Sequence, residues 1–314
     1  MNVVLDNIIF SLQRYGGISV VWTELLRRAR IDKDLQVTEL DYTKDRIPRF
    51  MERNRVPAFL PQEPTLFHSS YFRVLPDSSV KNITTVHDLT YHFYRHGLAK
   101  AVHLWEERRA LQHSEAVICV SENTKRDLLR FYPWYKEDNI HVVYNGVGEE
   151  FFPIPSVEKK GYLLYVGNQN VDYKRFDVAQ AVARMTGLEL VTAAGVTREQ
   201  LNVLYNEALC LLYPSDYEGF GIPIIEAQKA GCPVIAQNAS SIPEVIGPEG
   251  LMVAHNTPEK MANEMADIVQ QLKSRSTQAI IEAGFENAKR FSWDTNYEQV
   301  KQVYENIYHN HHVQ

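Results

Sequence analysis

Short apolar runs alternate with longer amphipathic stretches along almost the whole chain. Many of the apolar runs are nearly continuous, which is typical of strands that are buried on both faces of a parallel sheet. They predict strands at Val3–Leu5, Val37–Leu40, Leu66–His68, Ile83–Val86, Ala116–Val120, Ile140–Val143, Tyr162–Val166, Leu188–Thr192, Cys210–Tyr213, Val234–Ala236 and Leu251–Val253. The longer stretches predict helices at about Ser19–Arg30, Ala99–His113, Glu122–Phe131, Phe176–Met185, Arg198–Glu207, Ile222–Ala230 and Pro258–Lys273. This alternation predicts an α/β fold with parallel sheets.

A turn-rich segment near the middle divides the chain. Residues 146–155 contain two Gly and two Pro directly after a predicted strand, and the polar stretch Ser156–Lys160 follows. Such a segment is a linker candidate, so we predict two doubly wound domains, residues 1–150 and 151–291. Residues 292–314 begin with apolar side chains at helical spacing. We predict that this last helix covers a surface of the N-terminal domain.

Composition narrows the class of protein. The 314 residues are 45% hydrophobic and 23% charged, as in ordinary globular proteins, and no apolar run approaches the ~18 residues of a membrane span. Neither a signal peptide nor a metal-ligand spacing of cysteines is visible, so we expect a cytoplasmic protein with reduced core thiols at Cys119, Cys210 and Cys232. The net charge of −6 argues against a nucleic-acid partner.

The most informative segment is residues 213–227, which follows a predicted buried strand and opens a helix. Gly219 and Gly221 allow the backbone to approach a ligand closely. The free N–H groups and the dipole of the first helical turn favour a diphosphate. Glu218 and Glu226 then suit hydrogen bonds to a sugar and to a ribose. The alternative, that the two glutamates merely favour a helix start, leaves the Gly-Phe-Gly between them unexplained.

Glu218 and Glu226 are separated by seven residues, with Pro-Ser before them and Gly-Cys-Pro-Val-Ile-Ala after them. This pattern resembles the E-x7-E signature of retaining glycosyltransferases of group 1, the family 4 type. The resemblance implies a GT-B fold, with two Rossmann-like domains facing a cleft, and metal-independent transfer from a UDP-, GDP- or dTDP-sugar without another cofactor. It also implies that Glu218 is catalytic and that the donor is bound by Gly219, Phe220, Gly221, Ile222 and Glu226.

The loop at residues 167–177 follows the first predicted strand of the C-terminal half. Gly167 permits a close turn, while Lys174 and Arg175 are cations suited to phosphate. An ordinary helix start disfavours cations, so their presence favours a ligand site. The resemblance implies that Lys174 contacts the donor diphosphate. The usual family Arg is replaced by Asn168 or Gln169, and Arg175 is a candidate substitute.

Two segments of the N-terminal half also lie at the ends of predicted strands. Gly16 and Gly17 permit a tight turn, and the resemblance implies that they lie under the donor phosphate. His87 follows a buried strand, where a lone His is usually structural, but the resemblance implies a catalytic role near the sugar and the acceptor. Asp88 either orients His87 or caps the next turn.

A basic segment interrupts this otherwise acidic protein. Its cations are Lys44, Arg46, Arg49, Arg53 and Arg55, with Phe50 and Met51 among them. One interpretation is a solvated loop. The other is a surface for anionic lipid head groups or a lipid-diphosphate acceptor, which predicts peripheral contact with the inner membrane face through Lys44–Arg55.

The function predicted from these features is retaining hexosyl transfer to a glycan or lipid-linked acceptor in cell-surface polysaccharide synthesis. One route uses a carboxylate nucleophile, and Glu218 remains a candidate for it. The resemblance favours a front-side route in which the leaving diphosphate deprotonates the acceptor. The alternative function is a nucleotide-sugar-binding or epimerase-like protein without transferase activity.

Overall fold

The computed structural model describes residues 1–13, 16–41, 53, 65–77, 79–193, 195–255 and 257–312. The chain divides into two compact units. The N-terminal unit contains Met1–Gly146 and Trp293–Gln314, and the C-terminal unit contains Val147–Ser292. These divisions fall within a few residues of the predicted boundaries at 150 and 291.

The elements follow one another in the alternating order that the sequence predicts. The N-terminal unit contains β1 (Asn2–Asp6), α1 (Ile9–Leu12), α2 (Gly17–Ala29), β2 (Gln36–Leu40), β3 (Thr65–Ser69), β4 (Val80–Val86), α3 (Thr90–Tyr94), α4 (Gly97–His113), β5 (Ser114–Cys119), α5 (Glu122–Phe131) and β6 (Ile140–Val142). The C-terminal unit contains β7 (Leu163–Tyr165), α6 (Phe176–Thr186), β8 (Leu190–Thr192), α7 (Arg198–Glu207), β9 (Cys210–Tyr213), α8 (Ile222–Lys229), β10 (Val234–Gln237), α9 (Ile242–Ile246), β11 (Leu251–Val253), α10 (Pro258–Ser274) and α11 (Gln278–Ala288). The last helix, α12 (Trp293–His312), belongs to the N-terminal unit.

Each unit is built on a parallel sheet, which confirms the predicted fold class. The strand orders are β2-β1-β3-β4-β5-β6 and β11-β10-β9-β7-β8. In the first sheet β1 has β2 on one side and β3 on the other, and in the second sheet β7 lies between β8 and β9. Ligands of open α/β sheets bind at the carboxyl ends of the strands where the order reverses. The loops after β7 and β9 meet at such a point.

All the predicted strands are present, but some helices were missed. The helices α1, α3 and α9 have only four or five residues, too few to show a helical period. The helix α11 was missed although it has eleven residues. It contains Gly284, which lowers helix propensity. A Cβ atom at Gly284 would lie 3.3 Å from the Gln228 side chain, so close packing against α8 favours glycine there.

The final helix completes the core of the N-terminal unit. Tyr297, Val300, Val303 and Tyr304 are buried in one cluster with Trp22 of α2, and this cluster extends to residues of β1, β3 and β4. The prediction that the helix covers the N-terminal domain therefore agrees with this packing. Within the described part of the chain, no helix has the length and hydropathy of a membrane-spanning segment.

A buried hydrogen-bonded chain ties α12 to the middle of the sheet. The Tyr304 hydroxyl lies 2.6 Å from His68 Nδ1, and His68 Nε2 lies 2.8 Å from Thr85 Oγ1. Burial lowers the pKa of His68 to about 3, so its imidazole is neutral at physiological pH. The three side chains satisfy one another's hydrogen-bonding groups where water is excluded, so these hydrogen bonds stabilise the N-terminal unit.

We predict that Tyr304→Phe lowers the free energy of unfolding of the N-terminal unit by about 1–3 kcal/mol, because it leaves a buried nitrogen of His68 without its partner. Urea unfolding followed by far-UV circular dichroism measures the change. Tyr308→Phe, at a less buried position of the same helix, is the matched control and should lower the free energy of unfolding by less. Equal unfolding midpoints for the two variants would contradict the structural role of the chain.

Candidate functional site

The loops after β7 and β9 are joined by hydrogen bonds at the carboxyl edge of the second sheet. The amide of Asp216 donates to the carbonyl oxygen of Tyr173 at 2.8 Å. The Tyr165 hydroxyl, at the end of β7, donates to the carbonyl oxygen of Lys174 at 3.2 Å. Gly167 lies against Tyr165, since a Cβ atom there would come 3.1 Å from the hydroxyl. The two predicted donor loops therefore form one structure.

An ion pair occupies the centre of this structure. Lys174 Nζ lies 2.6 Å from each carboxylate oxygen of Glu218. The Lys174 side chain is 22% exposed and that of Glu218 is 10% exposed, so both groups are shielded from water but still reach the surface. A carboxylate and a cation of this kind provide contacts for sugar hydroxyls and for phosphate oxygens. The structure thus brings together the two residues that the sequence analysis assigned to the sugar and to the diphosphate.

Two consecutive serines form hydrogen bonds with the backbone at Glu218. Ser240 Oγ accepts a hydrogen bond from the Glu218 amide at 2.8 Å, and Ser241 Oγ donates to the carbonyl oxygens of Glu218 and Phe220 at 2.9 Å. Nothing in the local pattern around Ser240 and Ser241 indicates that they reach back to the loop after β9.

Backbone strain marks the same place. Among the described residues, the non-glycine residues with positive φ are Arg175 at 50° and Ser240 at 49°. Both belong to the loops that surround the ion pair. Side chains rarely adopt this region of φ, and such residues persist where the surrounding structure holds them, often at functional sites.

The helix α8 presents its amino terminus to this edge of the sheet. Gly221, the residue before the helix, has a φ of 107° and offers no side-chain cap. A Cβ atom there would also lie 3.1 Å from Ile224, so glycine is required. Phe220 and Ile222 are buried on either side of Gly221, whereas Pro223 lies in the first helical turn. The uncapped start of α8 adds a partial positive charge close to Glu218.

Glu226 lies one turn further along α8 within a buried ion cluster. Its carboxylate lies 3.3 Å from Arg198 Nη2 and accepts a hydrogen bond from the Tyr205 hydroxyl at 3.2 Å. Arg198 also binds Glu150 through its Nε. Burial raises the pKa of Glu226 to about 7, although Arg198 opposes the shift. Glu226, the residue predicted to bind the ribose, is only 4% exposed, and its carboxylate already has two protein partners.

Arg198 was missed by the sequence analysis. It is the first residue of α7, directly after the N-cap Thr197, whose capping box with Gln200 is visible in the sequence. That pattern predicts a helix start but not a partner for Glu226. Only the packing of α7 beside α8 brings the guanidinium and the carboxylate together.

Arg175, the candidate substitute for the usual family Arg, makes its own ion pair. Its Nε lies 2.6 Å from Asp216 Oδ2. The Arg175 and Asp216 side chains are 29% and 25% exposed, so the pair is partly accessible to solvent. Asn168, one of the two residues expected at the usual Arg position, accepts a hydrogen bond from the amide of Asn170 at 2.9 Å. Of the two cations in this loop, Lys174 is thus the one paired with Glu218.

The predicted glycine loop lies in the N-terminal unit, before α2. Gly16 has a φ of 155°, a backbone conformation that side chains rarely adopt. Ser19 Oγ donates to the carbonyl oxygen of Gln13 at 2.9 Å, which links the end of α1 to the first turns of α2. The backbone at residue 16 therefore favours glycine, and α2 begins at Gly17.

His87 lines a cavity of about 190 Å³ in the N-terminal unit. Its Nε2 is buried and has no hydrogen-bond partner within the described part of the chain. Burial lowers the pKa of His87 to about 4, although the charge of Asp88 opposes the shift, so the imidazole is neutral. Asp88 Oδ1 accepts a hydrogen bond from the amide of Thr90 at 2.9 Å, which favours the capping role of Asp88 over the orienting one.

The same cavity has aromatic walls. The ring of Tyr91 stacks on His103 with centroids 3.6 Å apart, and the Tyr71 hydroxyl lies 3.1 Å from His103 Nδ1. Among the described residues that line the cavity, none is Lys or Arg. Flat apolar faces beside an unpaired neutral nitrogen suit an uncharged polar ligand rather than a phosphate.

A larger cavity, of about 260 Å³, lies elsewhere in the C-terminal unit. It is lined by Val234 and Leu251, the first residues of β10 and β11, so it opens at the amino ends of the strands. Asn287, also in its wall, already donates to Gln228 Oε1 at 2.7 Å. No predicted site residue lines it. Size alone therefore does not identify the site.

Of the basic segment Lys44–Arg55, the structure describes Arg53. Its Nε lies 3.4 Å from Glu106 Oε1, and its Nη1 donates to the Tyr71 hydroxyl at 3.4 Å. Arg53 thus compensates a buried carboxylate of α4. The other residues of the segment, including Lys44, Arg46, Arg49 and Arg55, lie outside the described residues.

Comparisons with known proteins identify relatives of this chain. Residues 149–271 match the family model described as glycosyl transferases group 1, and residues 42–151 match the model of glycosyltransferase family 4. The chain is 26% identical to O-antigen chain mannosyltransferase B of Escherichia coli, over 88% of this chain and 93% of that protein. It is 27% identical to O-antigen chain mannosyltransferase RfbU of Salmonella typhimurium, over 66% of each.

The fold is similar to that of sucrose-phosphate synthase from Thermosynechococcus elongatus. The TM-score is 0.73 at 16% identity, over 99% of this chain and all of the other. This likeness confirms the predicted GT-B fold.

We predict that the Glu226 carboxyl makes stability depend on pH. Its pKa is raised from 4.5 to about 7, so the folded chain retains a proton that the unfolded chain releases, and stability falls as pH rises through that window. Glu226→Gln removes this dependence. The melting temperature of the wild type should fall relative to that of the variant between about pH 5 and pH 8, by the equivalent of about 1–3 kcal/mol. Parallel profiles would contradict a protonated buried carboxyl.

Proposed function

We propose, since the chain belongs to the glycosyltransferases of group 1 and family 4, that it transfers a hexosyl residue from a nucleotide-sugar to a glycan or lipid-linked acceptor with retention. Mannose is the first candidate sugar, because two similar proteins are mannosyltransferases of O-antigen chains. The same relatives support a role in cell-surface polysaccharide synthesis. The donor is a UDP-, GDP- or dTDP-sugar.

The observation that carries this proposal is the Lys174–Glu218 ion pair at the edge of the sheet where ligands bind. A bound diphosphate draws the Lys174 ammonium toward its oxygens, which frees Glu218 to accept hydrogen bonds from the sugar. Lys174 and the start of α8 then stabilise the negative charge that develops on the leaving diphosphate. These two sources of positive charge support transfer without a metal.

The front-side route is the mechanism that the geometry supports better. In it the bond from the anomeric carbon to the phosphate oxygen breaks while the acceptor oxygen bonds to the same face of that carbon. The acceptor proton passes to the leaving diphosphate. The positive charge of Lys174 and of the α8 start stabilises the leaving diphosphate, which is the base of this route, so no protein nucleophile is required.

Glu226 and His87 complete the proposed set of contacts. An ionised Glu226 accepts hydrogen bonds from the ribose, and its partners Arg198 and Tyr205 hold it in place. Neutral His87 offers its unpaired Nε2 to a hydroxyl of the sugar or the acceptor. Gly16, Gly17 and Arg175 are proposed to lie near the donor phosphates.

The proposed location is the cytoplasm, with peripheral contact at the inner membrane face when the acceptor is lipid-linked. The segment predicted to make this contact is Lys44–Arg55. Arg53 is already paired with Glu106, so any contact through this segment depends on its other cations.

Transfer monitored by proton NMR tests the function. The protein is incubated with GDP-mannose, then with a panel of UDP- and dTDP-sugars, and with short mannose-terminated glycans. The expected product has the same anomeric configuration as the donor. A product of inverted configuration contradicts the retaining mechanism. Donor binding without either transfer or hydrolysis favours a nucleotide-sugar-binding protein.

We predict that Lys174→Ala weakens binding of the nucleoside diphosphate at least tenfold and binding of the nucleoside little, because the lost contact is to phosphate. Isothermal titration calorimetry with both ligands measures the two losses. Lys289→Ala removes a 69% exposed lysine of the same unit and serves as the control. Equal losses for nucleoside and nucleoside diphosphate would argue against the phosphate role.

A further inference from the structure

The helix α4 has an unusual division of charge between its two faces. Between Tyr94 and His113 the acidic residues are Glu106 and Glu107, and both are turned inward, 1% and 0% exposed. The cations of the same stretch remain outside or at the rim: Arg95, Lys100, Arg108 and Arg109. The linear sequence Glu-Glu-Arg-Arg is neutral, but the surface of this helix is cationic.

The inward position of the glutamates is secured by partners. Arg53 Nε lies 3.4 Å from Glu106 Oε1 and forms an ion pair with it. Glu107 lies 3.0 Å from His92 Nε2 and 3.5 Å from His103 Nε2. These contacts supply the compensation that buried carboxylates require, so the glutamates do not neutralise the arginines outside.

Large apolar side chains lie along the same exposed face. Leu98 is 80% exposed and Trp105 is 51% exposed, seven residues apart on α4, so they project on the same side of the helix. Trp134, beyond the end of α5, is 44% exposed. Arg109 lies over the Trp105 ring and Arg108 over the Trp134 ring, 5.9 and 5.8 Å from the centroids. The aromatic rings and the cations thus form one continuous surface.

We propose that this surface, formed by Leu98, Trp105, Arg108, Arg109 and Trp134, docks the protein on an anionic lipid bilayer. It is distinct from the Lys44–Arg55 segment, and it stands independently of the proposed catalysis. Leu98 and the two tryptophans enter the interfacial region of the bilayer while the arginines remain among the lipid phosphates.

Charge and side-chain chemistry favour a bilayer as the occupant. The protein carries a net charge of −6, so a local cationic surface is needed for it to approach an anionic membrane. Tryptophan and arginine together suit the boundary between acyl chains and head groups, where the indole is amphipathic and the guanidinium contacts phosphate. Glu137, near Trp134 in the chain, is neutralised by Lys125 at 2.9 Å.

Co-sedimentation of the full chain with vesicles tests the proposal. The probes are vesicles of phosphatidylcholine with phosphatidylglycerol and vesicles of phosphatidylcholine alone, at low and high ionic strength and without donor. The wild type should bind the anionic vesicles at low ionic strength and be released by salt. Arg108→Ser should weaken this binding roughly fivefold. The double variant Leu98→Ser, Trp105→Ser should reduce it further.

A matched control uses another exposed surface of the same unit. Arg27 has a side chain 74% exposed, and Ile31 is 78% exposed. The double variant Arg27→Ser, Ile31→Ser should bind vesicles as the wild type does. Equal binding by the α4 variants and the wild type would overturn the proposal. A wild type that ignores anionic vesicles at low ionic strength would also overturn it and favour an anionic protein partner.

Tryptophan fluorescence provides a second readout. Trp22 and Trp293 are buried, 2% and 3% exposed, so a blue shift on addition of anionic vesicles reports Trp105 and Trp134. The shift should shrink in Trp105→Phe, which keeps an apolar side chain on the surface. A wild-type spectrum that anionic vesicles leave unchanged while the protein co-sediments would place the contact elsewhere and overturn the assignment.

Discussion

The pairing of β7 with β9 is the constraint on which the candidate site depends. Leu163 is in register with Cys210, so the two strands end side by side although almost fifty residues separate them in the chain. Their loops must then share one edge of the sheet, and Lys174 meets Glu218 there. Parallel strands place all their carboxyl ends on one edge. The position of the candidate site therefore follows from strand order.

Compensation of buried carboxylates is the second theme of the structure. Glu226 is paired with Arg198 and Tyr205, and Glu106 with Arg53. Because an uncompensated buried charge costs several kcal/mol, each of these groups requires a partner from a distant element. Glu218 differs in its position, since the Lys174–Glu218 pair lies at the carboxyl edge of the second sheet, where ligands bind, and Glu218 itself is 10% exposed against 5% for Glu226 and 1% for Glu106. Position at this edge and exposure of the carboxylate thus distinguish Glu218 from the two carboxylates that support the fold.

Chemistry and membrane docking are proposed for different units of the molecule. The ion pair of Lys174 and Glu218 belongs to the C-terminal unit, while the surface of α4 belongs to the N-terminal unit. Burial of Glu106 and Glu107 costs free energy of desolvation, but it leaves the outer face of α4 cationic. A change at Arg108 can therefore alter lipid binding without touching the donor loops.

The alternation of strands and helices and the positions of the predicted donor loops follow from the sequence alone. Continuous apolar runs such as Cys210–Tyr213 predict buried strands because both faces of a parallel sheet are covered. The glycines around Phe220 and the cationic side chain of Lys174 likewise predict ligand-binding loops from residue type alone. Tertiary structure decided which charges meet. Arg198 reaches Glu226, Ser240 reaches the backbone of Glu218, and Arg53 reaches Glu106 of α4 through contacts between segments distant in sequence, which no local pattern encodes.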